Sequence, residues 1–350
     1  MTPEFWRGRR VFVTGHSGFF GGWFCLWLAR LGAQVTGYSL APATRPNFFG
    51  AVDLGRDVCS ITGDIRKLNM LRGAMQEADP EFVFHLAAQP LVRQAHAAPV
   101  DTFSTNVMGT VHVLQSMRSC ENLRGAVIFT TDKVYRNAET GTGFLEDDRL
   151  GGREPYGASK ACAEIVTDAY RHSYFEAEFP IATVRAGNII GGGDWSADRL
   201  VPDAIRAFSA GRPLVIRNPD AVRPWQHALD PARGLLLLTE RLTADPSAPT
   251  AWNMGPADQS AAPVGRLVDM LTGIWGNGAH WERDAADGAP YEARLLNLDS
   301  ALAKANLGWQ PAWSLERALN ATVEWYRAFL AHKDVRALSL SQIEAMEGAN

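Results

Sequence analysis

Arg10-Val11-Phe12-Val13-Thr14-Gly15-His16-Ser17-Gly18-Phe19-Phe20-Gly21 decides the fold. A short apolar run enters a GxxGxxG turn, and an apolar segment continues to about Leu31. The pattern reads as strand, tight loop, helix. Gly15 permits the turn, Gly18 lets backbone approach a diphosphate, and Gly21 lets the helix pack closely on the sheet. The helix start offers N–H groups and favourable polarity to an anion. Gly15, Ser17, Gly18, Phe19, Phe20 and Gly21 are therefore expected to bind a dinucleotide. A turn of purely structural use is the competing reading, and the strand–loop–helix context disfavours it.

Further strand-like runs lie at residues 34–38, 61–64, 82–86, 126–129 and 181–185. Helical patterns cover 68–77, 101–120 and 159–174, and residues 42–58 read as irregular. This alternation predicts a Rossmann-type α/β fold, a parallel sheet with helices on both faces. The rhythm breaks after residue 186, at Gly191-Gly192-Gly193-Asp194-Trp195. Residues 1–187 thus read as the dinucleotide-binding domain, with a return segment near 223–245. Residues 188–330 read mainly as a smaller substrate-binding lobe. Its last helix, over 314–329, has an apolar stripe at Leu315, Ala318, Leu319, Val323 and Tyr326. The tail 331–350 is weakly amphipathic and receives no role.

Composition narrows the partners. Among 350 residues 46% are apolar, enough for a large core. Lys plus Arg number 34 against 38 Asp plus Glu, so neither nucleic acid nor an anionic membrane is an expected partner. Cys25, Cys59, Cys120 and Cys162 are spaced for neither a metal nor a disulfide framework. Reduced thiols, no signal-like start and no membrane-length apolar run predict a cytoplasmic protein.

Two short segments carry chemistry. Thr130-Thr131-Asp132-Lys133 ends the fifth strand, and Tyr156-Gly157-Ala158-Ser159-Lys160 stands at a helix start. Tyr156 and Lys160, at i and i+4, share one helix face. A phenol is a poor base at neutral pH, and a lysine ammonium beside it is expected to make it more acidic. Asp64 and Ile65, past the third strand, are placed to meet an adenine ring. The second strand ends in Tyr38-Ser39-Leu40-Ala41, without the acid that selects a free ribose hydroxyl, and Arg45 follows. NAD and NADP both remain open at this point.

The glycine stretch, the Tyr156/Lys160 pair and the strand order resemble the extended short-chain dehydrogenase/reductase superfamily. Within it the chain resembles the nucleotide-sugar 4,6-dehydratases, and their CDP-glucose branch in particular. Phrases that carry this likeness include His85-Leu86-Ala87-Ala88-Gln89-Pro90-Leu91-Val92-Arg93, Ser104-Thr105-Asn106-Val107-Met108-Gly109-Thr110 and Arg223-Pro224-Trp225-Gln226-His227. Lys133 matches that branch, where other branches carry glutamate.

The resemblance implies a lyase that binds NAD, with a nucleotide sugar, CDP-glucose, as substrate. It implies cofactor contacts from Leu86, Ala87, Ala88, Gln89, Asn106 and Thr130, with Tyr156 and Lys160. It implies Tyr156 as base, Thr131 as its partner at the sugar O4, and proton transfer by the Asp132/Lys133 pair collectively. Substrate contacts are implied for Arg93, Asn188, Arg199, Leu200, Arg217, Arg223 and His227, with Trp195 and Trp225 as candidates to flank the base. No metal is implied. A homodimer or higher homo-oligomer, built on helices 101–120 and 157–174, is implied as well.

Phe20-Gly21-Gly22-Trp23 departs from the family's usual Lys-Gly-Ser-Trp and removes a positive charge near the diphosphate. A 4-epimerase or reductase has no use for Asp132 and Lys133. The intact Thr131, Tyr156 and Lys160 disfavour a non-catalytic dinucleotide-binding protein.

Overall fold

The computed structural model describes residues 2–137, 139, 141–176, 179–256, 261–284 and 293–349. Seven strands form the main sheet: β1 (Arg10–Thr14), β2 (Gln34–Ser39), β3 (Cys59–Thr62), β4 (Phe82–His85), β5 (Gly125–Phe129), β6 (Ile181–Arg185) and β7 (Ala251–Asn253). Their order is β7-β6-β5-β4-β1-β2-β3, and every neighbouring pair is parallel. Phe12, Val13, Val83, Phe84 and Ile128 are fully buried, as strands covered on both faces require. The strand order reverses between β1 and β4, which opens a crevice at their C-terminal ends. Register pairs Thr14 with His85, so the glycine turn and the turn after β4 leave the sheet side by side.

The helix after β1, α1 (Phe19–Arg30), has no polar face: Gly21 through Leu28 are all buried. A helix apolar all round must be covered all round. The sheet covers one side, and the C-terminal helices α8 (Leu315–Leu330) and α9 (Val335–Glu347) help cover the rest. Glu347 of α9 accepts from Trp27 Nε1 at 2.9 Å and pairs with Arg30 at 3.2 Å. Arg336 holds Asp57 and the Val52 carbonyl. The tail without a sequence role is thus part of the core.

On the opposite sheet face lie α2 (Leu68–Ala78), α3 (Gly109–Met117) and α4 (Pro155–Tyr174). The expected helix 101–120 is broken: Pro99–Phe103 is α-helical, Ser104–Met108 is a π turn, and α3 follows. α4 starts earlier than expected, because Pro155 sits in its first turn and the Glu154 carboxylate caps the N–H groups of Tyr156 and Gly157 at 2.7 and 2.6 Å. Residues 42–58 contain two short helical turns, Phe48–Ala51 and Leu54–Arg56. β3 begins two residues before the expected run.

The smaller lobe contains α5 (Leu200–Ser209) and α7 (Val264–Trp275), with three two-stranded pairs. Between them in sequence, α6 (Leu229–Ala244) and then β7 return to the main sheet. Asp230 in the first turn of α6 is fully buried. One carboxylate oxygen accepts the Ala312 N–H at 2.7 Å, and the other has no partner among the described residues. Burial pushes its pKa up from 3.8 to about 7, against opposing pulls from the Ala312 and Trp313 N–H groups. The folded state therefore binds this proton more tightly than the unfolded state. Its contribution to stability is present at low pH and is lost as pH rises from about 4 to about 7. Asp230→Asn is expected to gain stability relative to the parent over that window, checked by denaturant midpoints at pH 4, 5.5 and 8.

Candidate active site

The glycine turn meets the turn after β4 backbone to backbone. Gly15 has φ +82°, and a Cβ there would lie 2.7 Å from the Ala87 nitrogen. A Cβ at Gly21 would overlap the Gly15 carbonyl oxygen, whereas Gly18 has only that oxygen nearby and is exposed. Gly18 is also the N-cap of α1 and brings no side-chain hydrogen bond to it. The cradle and the uncapped helix start fit a dinucleotide diphosphate.

His85 braces this junction. It is buried, with Nδ1 2.7 Å from the Thr14 hydroxyl and Nε2 3.1 Å from the Thr110 hydroxyl. Thr110 donates to the Asn106 carbonyl, so the network assigns the imidazole proton to Nε2. Burial, with Lys160 nearby, lowers its pKa to about 3, and it stays neutral. The π turn aims Asn106 at Gln89, whose N–H it accepts at 2.8 Å and whose carbonyl it meets at 3.0 Å. Asn106 also donates to Ser159 at 2.9 Å, next to Lys160. Thr14 accepts from Leu86 and Ala87, so residues 86–89 are held against the glycine turn.

At the end of β2, Ser39 Oγ donates to Ser17 Oγ at 2.7 Å and lies 3.1 Å from His16 Nδ1. Ser17 Oγ in turn donates to the Leu40 carbonyl. Hydroxyls and an imidazole, rather than a carboxylate, line this corner. Asp64 gives its carboxylate to the Arg66 guanidinium and backbone, and the Arg66 hydrogen bonds lower its pKa. Ile65 is buried, and its carbonyl meets His112 at 2.9 Å.

The end of β5 and the start of α4 bring the chemical groups together. Tyr156 and Lys160 are both buried. The Thr131 hydroxyl acts on the Tyr156 phenol. Burial pushes that phenol up to about 12, with Thr131 and then Arg199 pulling it down. The Lys160 ammonium donates to the Phe129 carbonyl at 2.7 Å, and the Arg199 charge also acts on the phenol. Lys160 itself is lowered to about 8 by burial, opposed by Glu164.

Asp132 is fully buried in a 3₁₀ turn capped by Thr131. Its Oδ1 accepts from Thr131 at 2.9 Å and from Lys133 Nζ at 3.4 Å. Its Oδ2 has no partner among the described residues and rests against Gly187, where a Cβ would overlap it.

Lys133 lines a cavity with Tyr135, Arg153, Glu154, Arg223 and Leu296. Of the expected substrate residues, Arg223 reaches this cavity and is itself buried, donating to the Val222 carbonyl at 2.8 Å. Arg199 pairs loosely with Asp194 at 3.6 Å, and Leu200 opens α5 beside it. Arg93 joins Asp198 at 2.6 Å. Asn188 has φ +33° and its carbonyl accepts from Gln226. Arg217 is exposed beyond Leu214–Ile216, and its charge acts on Asp203 of α5.

Burial overturns two expectations, and the half-buried Trp195 is taken up by packing. His227 is sealed behind Gly191, between Trp23 and Trp313, and burial lowers it to about 3. Trp225 is buried, with Nε1 on the Ala262 carbonyl. Trp195 packs edge-on against Trp325, Tyr326 and Phe329 of α8. None of the three presents its ring to the cavity.

The family model for the NAD dependent epimerase/dehydratase family matches residues 11–255. The chain belongs to the NAD dependent epimerase/dehydratase family. It is 44% identical to the CDP-glucose 4,6-dehydratase of Salmonella typhimurium, over 98% of this chain and 97% of that protein. A solved UDP-glucose 4-epimerase from Thermotoga maritima, with UDP-glucose, superposes with a TM-score of 0.80 at 23% identity, covering 91% of this chain and 99% of that one. The Bacillus anthracis dTDP-glucose 4,6-dehydratase, solved with NAD, gives 0.77 at 20%, covering 91% and 97%.

For this member of the family, sequence reading missed a buried polar network behind the site. Glu164 accepts from Thr130, from Thr183 at 2.7 Å and from Arg185 at 2.8 Å. Arg185 continues to Tyr135 and the Glu146 carbonyl, and Tyr135 continues to Asn253 of β7. Glu146, unassigned from sequence, accepts the Asn253 N–H at 2.8 Å and so anchors β7. The one sequence signal was the acid four residues after Lys160.

Gly15→Ala is expected to weaken NAD binding at least about tenfold, since a side chain there is strained by its positive φ and meets Ala87. Titration of tryptophan fluorescence with NAD checks this.

Proposed function

We propose that this chain dehydrates CDP-glucose to CDP-4-keto-6-deoxyglucose. The observation that carries the reading is the divided carboxylate of Asp132. One oxygen is engaged by Thr131 and Lys133, and the other is buried with no partner among the described residues, where the Asp132 charge acts on the Tyr156 phenol. An oxidoreductase or epimerase needs Tyr156 and Lys160. Elimination also needs an acid and a base on the next carbons. The 44% identity to a CDP-glucose 4,6-dehydratase and the matching Lys133 support the cytidine-linked substrate.

A nicotinamide held here would supply the redox chemistry, a hydride removed at the sugar C4 and restored at C6, which makes the reaction redox-neutral overall. Gly15, Gly18 and Gly21 seat its diphosphate, and residues 86–89 with Asn106 border it. Tyr156 takes the O4 proton, with Thr131 sharing that hydrogen bond. Because burial holds the phenol high, Arg199 assists the phenolate. The 4-ketone acidifies C5–H. Lys133, at the cavity wall, carries the C5 proton. Within the Asp132/Lys133 pair, Asp132 delivers a proton to the departing 6-hydroxyl, which leaves as water, and the O4 proton taken by Tyr156 replaces it over the cycle, so that water is the net loss. The C5 proton is then returned. Arg153 and Arg223 outnumber Glu154 at the cavity wall and make it cationic. That suits the substrate diphosphate.

The working form is a homodimer. Val100, Phe103, Met108, Ile165 and Tyr174 are large apolar side chains exposed along the Pro99–Met117 segment and α4. Apolar exposure of that kind favours a second copy. The described residues contain no helix long and apolar enough to cross a membrane, and the four cysteines are unpaired, which fits a cytoplasmic setting.

Purified chain with NAD and a panel of nucleotide-glucoses is expected to turn CDP-glucose into a 4-keto-6-deoxy sugar, read by its alkali-induced absorbance. Absence of product from every member would sink the reading. Gly187→Ala is expected to lower turnover by about 10²-fold through displacement of the Asp132 carboxylate, with NAD binding kept.

A further inference from the structure

The 3₁₀ turn Asp132–Val134 carries both proton-transfer groups, yet its own backbone holds it weakly. The Val134 N–H reaches the Thr131 carbonyl at 3.4 Å, and the Lys133 N–H reaches the Thr131 hydroxyl at 3.5 Å. The Asp132 N–H reaches the Ala186 carbonyl at 3.3 Å. All three lie at the long end of the hydrogen-bond range. Ahead of the turn the chain is firmly set, since the Thr130 N–H donates to the Val184 carbonyl at 2.7 Å. Behind the turn the chain has left the sheet. Backbone bonds there, from Gly151 to the Val134 carbonyl at 2.7 Å and from Arg136 to the Arg149 carbonyl at 2.8 Å, join it to the loop before α4.

The Tyr135 side chain leads back to the sheet. Its ring is buried and stacked on Phe144, with centroids 4.7 Å apart. Its hydroxyl accepts from Arg185 of β6 at 2.8 Å and donates to Asn253 Oδ1 of β7 at 2.6 Å. Burial pushes this phenol up to about 12, so it keeps the proton it donates. Arg185 and Asn253 are register partners at the ends of their strands. Both anchors are fixed in turn. Arg185 donates to the Glu164 carboxylate at 2.8 Å and to the Glu146 carbonyl at 2.7 Å, and Asn253 donates to the Phe144 carbonyl at 2.7 Å.

We propose that Tyr135 is a positioning residue for the elimination: its hydroxyl pins the far side of the Asp132–Val134 turn to the ends of β6 and β7, and so holds Lys133 at the cavity wall. This rests on the reading of Asp132 and Lys133 as the proton-transfer pair. Tyr156 and Lys160 stand on α4, and the Phe129 carbonyl that takes the Lys160 ammonium lies ahead of the turn. Oxidation at the sugar C4 is therefore expected to outlast a loosened turn, whereas elimination is not.

Tyr135→Phe removes the hydroxyl and keeps the ring against Phe144. In the chain with NAD bound, the amides of Asp132–Val134 are expected to exchange hydrogen at least about tenfold faster than in the parent, with those of α1 unchanged. With CDP-glucose, kcat is expected to fall at least about tenfold while KM stays within about twofold. Reduced nicotinamide, seen by its near-ultraviolet absorbance, is expected to accumulate during turnover, because oxidation outruns elimination. Arg185→Lys keeps a charge opposite Glu164 but lacks the fork that reaches Tyr135. It is expected to show the same two signatures, and it serves if the phenylalanine variant does not fold. Parental exchange of the turn in a folded variant overturns the proposal. A fall in turnover without reduced nicotinamide also overturns it, since oxidation has then failed together with elimination. Faster exchange confined to the turn, with no turnover of CDP-glucose by the parent chain, rejects the substrate reading and leaves the pin at Tyr135 standing.

Discussion

The structure depends on a helix that must be buried on every side yet open at one end. α1 presents Trp23, Phe24, Leu26, Trp27 and Leu28 in all directions, and none of these side chains is more than marginally accessible. No single sheet face satisfies such a helix. The chain solves this by returning after the smaller lobe, so that α8 and α9 close over it. The ion pair of Arg30 with Glu347 and the Trp27 hydrogen bond tie the C-terminal end of α1 to α9. Its first turn, at Gly18, stays uncapped and points into the crevice between β1 and β4. Core and cofactor cradle are thus two ends of one constraint.

Burial also governs the chemistry. It acts in opposite directions on the two groups that must be charged, raising Tyr156 and lowering Lys160. The compensation comes from separate sources. The Arg199 charge acts on the phenol and the Glu164 charge on Lys160, while Arg185 balances the carboxylate from β6. A buried charge set of this kind contributes little net stability and is costly to break, which makes it a device for fixing geometry rather than for holding the fold together.

The fold was legible wherever local chemistry dictates it. A GxxGxxG turn needs its glycines for steric reasons that no distant contact alters, and the strands around it are apolar enough to declare themselves. β7 was invisible because Ala251–Asn253 is too short for any periodicity, and its place is set by Glu146 and Tyr135 from elsewhere. Helix 101–120 was legible as a helix but not as a broken one, since the π turn answers to Gln89 and Ser159 across the fold. Tyr156 and Lys160 were legible from spacing. The hydrogen-bond partner of Lys160 was not, because the Phe129 carbonyl that takes its ammonium lies on a strand remote in sequence. Trp195, Trp225 and His227 were misread for a shared reason: an aromatic ring suits a ligand and a core equally, and only packing distinguishes them.

The two acid–amine pairs of the site show why placement matters more than residue type. Lys160 and Glu164 are sealed: both side chains are inaccessible, Lys160 is held by the Phe129 carbonyl, and every Glu164 oxygen has a donor in Thr130, Thr183 or Arg185. Groups engaged in this way fix geometry. Asp132 with Lys133 is asymmetric. The acid is wholly buried, the amine is about a quarter accessible at the cavity wall, and one acid oxygen is left without a donor. That arrangement gives the amine a route to substrate and leaves the acid an oxygen to carry a proton. Identical chemical types four residues apart on a helix and adjacent on a turn thus receive different work. The difference lies in whether the last hydrogen-bond position is filled, and at Asp132 the absence of a side chain on Gly187 keeps it unfilled.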